Sequence, residues 1–277
     1  MDGAEHYDRY VAPFTIPYTA AVLASVERQR QARAGVPPDR RFRVLDHGAG
    51  TGAVAVGILL ADPNSEVVAV DPNHSMLTRL QGLAEEFGVA ARLTIVEGTA
   101  DALPSDIRFD AVTSSLVFMF IADAGAELSA LADLARPGAP LAVTVLGPPS
   151  TLVPFEAFWG AVHRVIAGTA EPASYPHFRH AHTADLVSAM TASGWCDATV
   201  STIESFRTLD CDELWTWVGR ALGVRMVDGS YRKEPLTDEE TTAVRAELCR
   251  SIAPYRETDG CYRLPVHGWL VTAIRAG

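Results

Sequence analysis

Three carboxylates and a cluster of glycines carry the most chemistry in this sequence. The run 44–52 (VLDHGAGTG) places Gly48, Gly50 and Gly52 where a β-rich segment gives way to a helical one, and such a turn lets main chain approach a ligand closely. Asp46 stands two residues before the first of these glycines. A carboxylate there repels a pyrophosphate and favours a ligand with a cationic end. Asp71 closes a second β-rich run, 23 residues after Gly48, where an acidic side chain accepts hydrogen bonds from ribose hydroxyls. Asp101 follows a third run, within 97–101 (EGTAD), and is placed to accept from an exocyclic amine. The spacing of Gly48, Gly50 and Ala53 also meets the relaxed dinucleotide fingerprint, but Asp46 weighs against a nicotinamide cofactor.

Other residues suit catalysis or substrate binding. His177, His180 and His182, with His163 nearby, form the densest histidine cluster, a composition that holds a metal or supplies a general base. No carboxylate joins them at a ligand spacing, so no metal is expected, and His177 and His182 stand as acid–base candidates. His47, inside the glycine turn, reads as a packing or capping residue. Phe155, Phe158, Trp159, Tyr175, Phe178, Trp215 and Trp217 are candidate walls of an apolar substrate pocket, weighed against the commoner role of such aromatics as core. Cys196, Cys211, Cys249 and Cys261 form no C-x-x-C pair and read as reduced thiols of a cytoplasmic protein.

These residues need elements to hold them. From residue 42 the sequence alternates β-rich and helical runs, the pattern of a parallel sheet covered by helices on both faces. Residues 42–46, 66–70, 92–96, 109–114 and 141–146 read as strands, and 53–61, 75–87 and 124–135 as helices. Pro137-Gly138 and Gly147-Pro148-Pro149 bracket the fifth strand. Beyond it, a helix over 155–166, a helix over 183–192 capped by Thr183, a strand over 198–203, helices over 212–222 and 238–252, and a last strand over 268–274 follow. Residues 4–34 read as largely helical, with 35–38 a linker. The expected organisation is a helical lid over 1–35 and a core over 36–277, with insertions at about 150–182 and 207–256.

Composition bounds the rest. With 48% hydrophobic and 21% charged residues among 277, the chain is that of a globular protein with a substantial core. Its 23 basic residues against 34 acidic ones give a net charge of -11, which repels phosphate backbones and anionic bilayers, so neither a nucleic-acid nor a membrane partner is expected. No stretch approaches the ~18 consecutive apolar residues of a membrane span, and residues 1–10 lack an apolar leader core. A homo-oligomer is compatible with the sequence.

A cationic end, a ribose and an aminopurine in one ligand describe S-adenosylmethionine. The ordered segments VLDHGAGTG, VVAVDPNHSML, VEGTADALP, FDAVTSSLVFMF and LARPGAPLAVTV, over residues 42–146, resemble the successive motifs of class I S-adenosylmethionine-dependent methyltransferases. The resemblance implies an α/β fold: a Rossmann-like, doubly wound, seven-stranded sheet with its last strand antiparallel, plus a helical N-terminal lid and inserted cap segments. It implies that Asp46, Gly48, Ala49 and Gly50 line the methionine end, that Asp71 binds ribose, that Pro72 and Met76 flank adenosine, and that Ala100 and Asp101 meet adenine. Ser114, Ser115 and Leu116 would meet the ligand through their backbone. The segment Tyr7-Asp8-Arg9-Tyr10 and the closing strand are similar to those of ubiquinone- and menaquinone-type enzymes, whose N-terminal helices cover the cofactor. Tyr7 and Tyr18 are thereby lid contacts, Tyr7 also a catalytic candidate, and Tyr10 and Phe118 join Trp159 and Tyr175 as pocket candidates. Residues 116–121 (LVFMFI) depart from relatives with histidine there, which removes a base at that position. The activity implied is methyl transfer to a small apolar or aromatic molecule. The alternatives are another S-adenosylmethionine-consuming reaction, such as cyclisation with release of methylthioadenosine, and a non-catalytic binding subunit.

Overall fold

Runs of Val, Leu and Ala with almost no polar interruption give strands buried on both faces, the signature of a parallel sheet between helical layers. In the structure, a computed structural model that describes residues 11–32, 40–166, 179–219, 224–227 and 232–277, these strands are β1 (Phe42–His47), β2 (Ser65–Asp71), β4 (Ala111–Ser115) and β5 (Pro140–Leu146), with the more exposed β3 (Leu93–Glu97) at one edge of the sheet. Every residue of β5 is buried. Parallel pairing sets Val44 beside Val67 and Ala111, and Val67 beside Leu93. With β6 (Trp195–Ile203) and the strand that closes the chain, β11 (Gly268–Arg275), the sheet runs in the order β3-β2-β1-β4-β5-β11-β6. Cys196 Sγ lies 3.4 Å from the Ile274 carbonyl and the Thr199 hydroxyl 2.7 Å from that of Thr272, so numbers rise along β6 as they fall along β11. The last strand is antiparallel, as the resemblance implies.

The chain divides into two compact units. The first holds the sheet and comprises Met1–Val145, His182–Ile203 and Trp269–Gly277. Its helices are α1 (Ala12–Ala32), α2 (Ala53–Ala61), α3 (His74–Glu86), α4 (Ala124–Leu134) and, after α5 of the other unit, α6 (Ala184–Ala192). The Asn73 side chain caps α3 by accepting from the Ser75 and Met76 amides, and Asp123 caps α4 through Ala126 N–H at 2.9 Å. Leu23 of α1 seats against Gly57 of α2, where an added Cβ would lie 2.7 Å from its Cδ1. Trp195, 1% exposed, donates its indole N–H to the Leu128 carbonyl, and the Arg275 guanidinium bonds the Ala132 and Gly194 carbonyls; both tie β6 and β11 to neighbouring segments.

The second unit comprises Leu146–Ala181 and Glu204–Gly268. It contains α5 (Val153–Val165), β7 (Phe206–Leu209), α7 (Cys211–Leu214), a π-helical turn at Trp215–Gly219, β8 (Val224–Val227), β9 (Arg232–Pro235), α8 (Asp238–Ser251) and β10 (Tyr262–Pro265). Strand β10 pairs antiparallel with β7, and β8 with β9. Helix α8 packs on α5, with Arg164 Nε 2.6 Å from Glu247. Of the expected helix over 212–222, the described residues to 219 form a single α-turn followed by the π-helical one, and 220–222 lie outside the described residues. The reading of all four cysteines as reduced is corrected: Cys211 and Cys249 form a disulfide, Cα atoms 6.0 Å apart, because folding brings α7 against α8 across a separation of 38 residues. Cys196 and Cys261 are free. No described helix is long and apolar enough to cross a membrane.

Candidate functional site

The strand order reverses direction between β1 and β4, and in an open α/β sheet that switch point opens a crevice at the carboxyl ends of the strands. A cleft lies there, lined by Asp46, Gly48, Ala49, Gly50, Thr51, Ala53 and Val54 of the first turn, Ser115 and Leu116 at the end of β4, and Thr15 and Thr19 of α1.

Backbone geometry explains the glycines. Gly48 has φ +70°, and a Cβ on it would lie 2.3 Å from Val117 Cγ2, so neither the conformation nor the space admits a side chain. Gly50 also has a positive φ, but nothing lies within 4 Å of where its Cβ would be: the cradle is open above it. The turn is stitched to the next strand by Gly48 N–H and Ala49 N–H, which donate to the Val70 carbonyl at 2.8 and 3.0 Å. Leu116, at the facing strand end, has φ 60°, a strained conformation of the kind that collects at ligand sites. Its N–H donates to Thr144 O at 3.0 Å, and the Ser115 hydroxyl lies 2.9 Å from that of Thr144.

Asp46 is 1% exposed. Its Oδ1 accepts from the Thr113 hydroxyl at 2.9 Å, while Oδ2 is buried without a hydrogen-bond partner. Burial pushes this carboxyl up to about 6, against the hydrogen bond from Thr113 and the favourable influence of the nearby Ala55 amide and His47, with Asp71 adding a smaller upward push. A buried acceptor without a donor beside an open glycine cradle fits the cationic, donor-bearing end of S-adenosylmethionine. At the end of β2, Asp71 accepts Gly50 N–H on Oδ2 at 2.9 Å and Asn73 N–H on Oδ1 at 2.8 Å. Each carboxylate oxygen has two lone-pair directions, so both retain capacity for a hydroxyl donor. Pro72 is exposed and Met76 half-buried at the start of α3; Ala100 is buried and Asp101 exposed after β3, Asp101 accepting from the Thr99 hydroxyl.

Several candidates stand elsewhere. Phe118 is fully buried in the sheet core, its ring 6.2 Å from that of His47. Tyr18 is fully buried on α1 against Phe14, and burial raises its phenol far above the usual range; Thr15 and Thr19, on either side of it, line the cleft instead. Ser114 is buried, its hydroxyl 3.1 Å from His47 Nδ1, while His47 Nε2 lies 2.8 Å from Glu127 Oε1, so His47 joins the glycine turn to β4 and α4. Trp159, 3% exposed, packs edge-on against Phe158 in the second unit. His182 is exposed and belongs to the first unit, whereas His163 belongs to the second. Tyr7, Tyr10, Tyr175 and His177 lie outside the described residues. Among the described residues no group of three His, Cys, Asp or Glu could hold a metal. Sequence reasoning missed Thr15, Thr19 and Glu127; the four-residue interval that puts both threonines on one helix face was the available signal.

Comparison with known proteins places this geometry. Residues 44–138 match the methyltransferase domain family. The chain is 38% identical over 124 residues to a demethylmenaquinone methyltransferase of Thermus thermophilus, covering 44% of this chain and 53% of the relative. It is 34% identical over 126 residues to a release factor glutamine methyltransferase of Bordetella pertussis, covering 42% and 46%. The chain thus spans about half the length of the curated relatives it matches. Among solved structures, the YcgJ protein of Bacillus subtilis superposes with a TM-score of 0.55 at 16% identity, over 94% of this chain and 98% of that one. Residues 44–138 therefore carry a methyltransferase domain, set on the α/β sheet described above.

Proposed function

We propose that the protein transfers the methyl group of S-adenosylmethionine to a small apolar or aromatic acceptor. The observation that carries this reading is the unpartnered Asp46 carboxylate oxygen, buried at the glycine cradle of the switch-point cleft. When bound, S-adenosylmethionine supplies a methyl on a sulfonium leaving group, open to in-line displacement by an acceptor lone pair. The chain then has to hold, orient and keep water out, which is where most of the acceleration of such a displacement originates. In this reading Asp46, Gly48, Ala49 and Gly50 hold the methionine end, Asp71 the ribose diol, Pro72 and Met76 the adenosine edges, and Ala100 and Asp101 the adenine. The strained Ser115-Leu116 backbone, with Ser114 behind it, and α1 with Thr15 and Thr19 narrow the cleft. Tyr7, Tyr10, His177 and His182 serve as lid, pocket or base residues.

Support for a small acceptor comes from the demethylmenaquinone methyltransferase among the relatives. The release factor enzyme among the relatives makes a protein acceptor the competing outcome. Incubation of the purified chain with S-adenosylmethionine and small-molecule extracts, followed by mass identification of the adenosyl product, tests the reading. S-adenosylhomocysteine formed only with a small-molecule fraction supports it. Methylthioadenosine formed without acceptor would overturn it in favour of cyclisation, and binding without turnover in any fraction in favour of a non-catalytic subunit.

A further inference from the structure

Arginine is rarely sheltered from water without an oxygen to receive its N–H groups, since its five donors and its charge are costly to desolvate unpaired. The half-buried arginines of this protein obey that rule with one exception among the described residues. Arg30, Arg40, Arg43 and Arg245 face carboxylates, and Arg92, Arg108 and Arg275 bond main-chain carbonyls. Arg207 does neither. It sits on β7 across from Leu264 and two residues before Leu209, both buried, so it occupies the inner face of the β7–β10 ribbon. Its guanidinium carbon lies 5.1 Å from the ring centroid of Trp217, which is 3% exposed and packs edge-on against Phe155.

Attraction to the indole face holds the cation in place. Contact with a π face leaves the in-plane N–H fork unused, and that fork matches an oxyanion bidentately. The carboxylate that acts electrostatically on Arg207 is Glu213, which accepts from Asp210 N–H in the cap of α7 and forms no ion pair with the guanidinium among the described residues. Burial lowers the affinity of Arg207 for its proton, the opposite of what a bound carboxylate would do. Arg263, by contrast, stands on the outer face over Phe206, exposed to water.

We propose that the second unit carries a recognition site for an oxyanion-bearing small molecule, with Arg207 as the anion-binding residue and Trp217 as the aromatic platform that holds its guanidinium. Naphthoate would pair its carboxylate with the guanidinium fork; phenyl phosphate would do the same with its phosphoryl oxygens. The site stands apart from methyl transfer, because binding is read without S-adenosylmethionine and so fails or succeeds independently of the reading above.

Calorimetric titration of the full chain with 1-naphthoate, phenyl phosphate and the neutral 1-naphthamide tests it. The expected result is at least tenfold tighter binding of one or both oxyanions than of the amide, and the better of the two identifies the ligand class. Arg207→Gln should abolish that preference, Arg207→Lys should keep part of it, and Arg263→Gln should leave it unchanged, each variant first shown to be folded by circular dichroism. Equal affinity for acid and amide, no binding of any probe, or a preference that survives in Arg207→Gln would overturn the proposal.

Discussion

A carboxyl group that titrates at about 6 in the folded chain and at 3.8 when unperturbed binds an extra proton between those values on folding. Its contribution to stability therefore rises as pH falls from above 6 toward 3.8, and at neutral pH ionised Asp46 costs on the order of 3 kcal/mol. Asp46→Asn should stabilise the ligand-free protein by about 1–2 kcal/mol at pH 8 and flatten its stability between pH 4 and 7, as thermal unfolding across that range would show. The same variant should bind S-adenosylmethionine at least tenfold more weakly, and wild-type affinity should fall as pH drops through 6. Asp71→Ala belongs at this scale too. It removes the acceptor for Gly50 N–H as well as the proposed ribose contact, so calorimetry should show cofactor binding weakened by roughly 1–3 kcal/mol, and an unchanged affinity refutes the ribose assignment. Asp46 and Asp71 were legible as candidates because one precedes the glycine turn after β1 and the other ends the next strand, β2, at the same edge of the sheet. Thr15 and Thr19 were not, because their four-residue interval marks only a shared helix face, and what brings that face to the cleft is the packing of α1, a tertiary event.

Among elements, that packing has a testable hinge point. Leu23 of α1 rests where Gly57 of α2 has no side chain. Gly57→Val should displace α1 while leaving the sheet formed: far-ultraviolet dichroism nearly unchanged, urea stability lower by about 1–3 kcal/mol, and cofactor affinity reduced because Thr15 and Thr19 move with the helix. The sheet was the most legible part of the fold. The runs at 42–46, 66–70 and 141–146 fall within β1, β2 and β5, and the helix expected over 53–61 is α2, since long apolar periodicity and glycine or proline breaks leave little ambiguity. The second unit was not legible in the same way. Strands β7, β8, β9 and β10 are four residues each, too short for a period to emerge, and Arg207 and Arg263 interrupt any apolar alternation in the ribbon. The π-helical turn at Trp215–Gly219 likewise breaks a helical pattern that the residue types alone extend.

For the whole molecule, the two units interleave along the chain, which passes between them after Val145, Ala181, Ile203 and Gly268. The Cys211–Cys249 bond closes a loop within the second unit, and loop-closure entropy assigns such a link about 2–4 kcal/mol. Hydrogen exchange should therefore show the second unit opening more readily in dithiothreitol while the sheet of the first stays protected. Cys249→Ser should reproduce the loosened pattern and no longer respond to the reductant.

The place of β11 between β5 and β6 also has a consequence for how the protein is made. Strand β6 ends at Ile203 and the strand it pairs with begins at Gly268, so during synthesis β6 and the open side of β5 are both complete while their common neighbour is still unwritten. At ribosomal speed the intervening stretch takes roughly 3–13 s, long compared with hydrophobic collapse. Throughout that interval the nascent chain presents two unpaired strand edges, one of them the fully buried β5 of the finished fold. Factors that shield apolar edges of emerging chains, and slow or fast codons across 204–267, should accordingly govern its yield more than the stability of the completed sheet does.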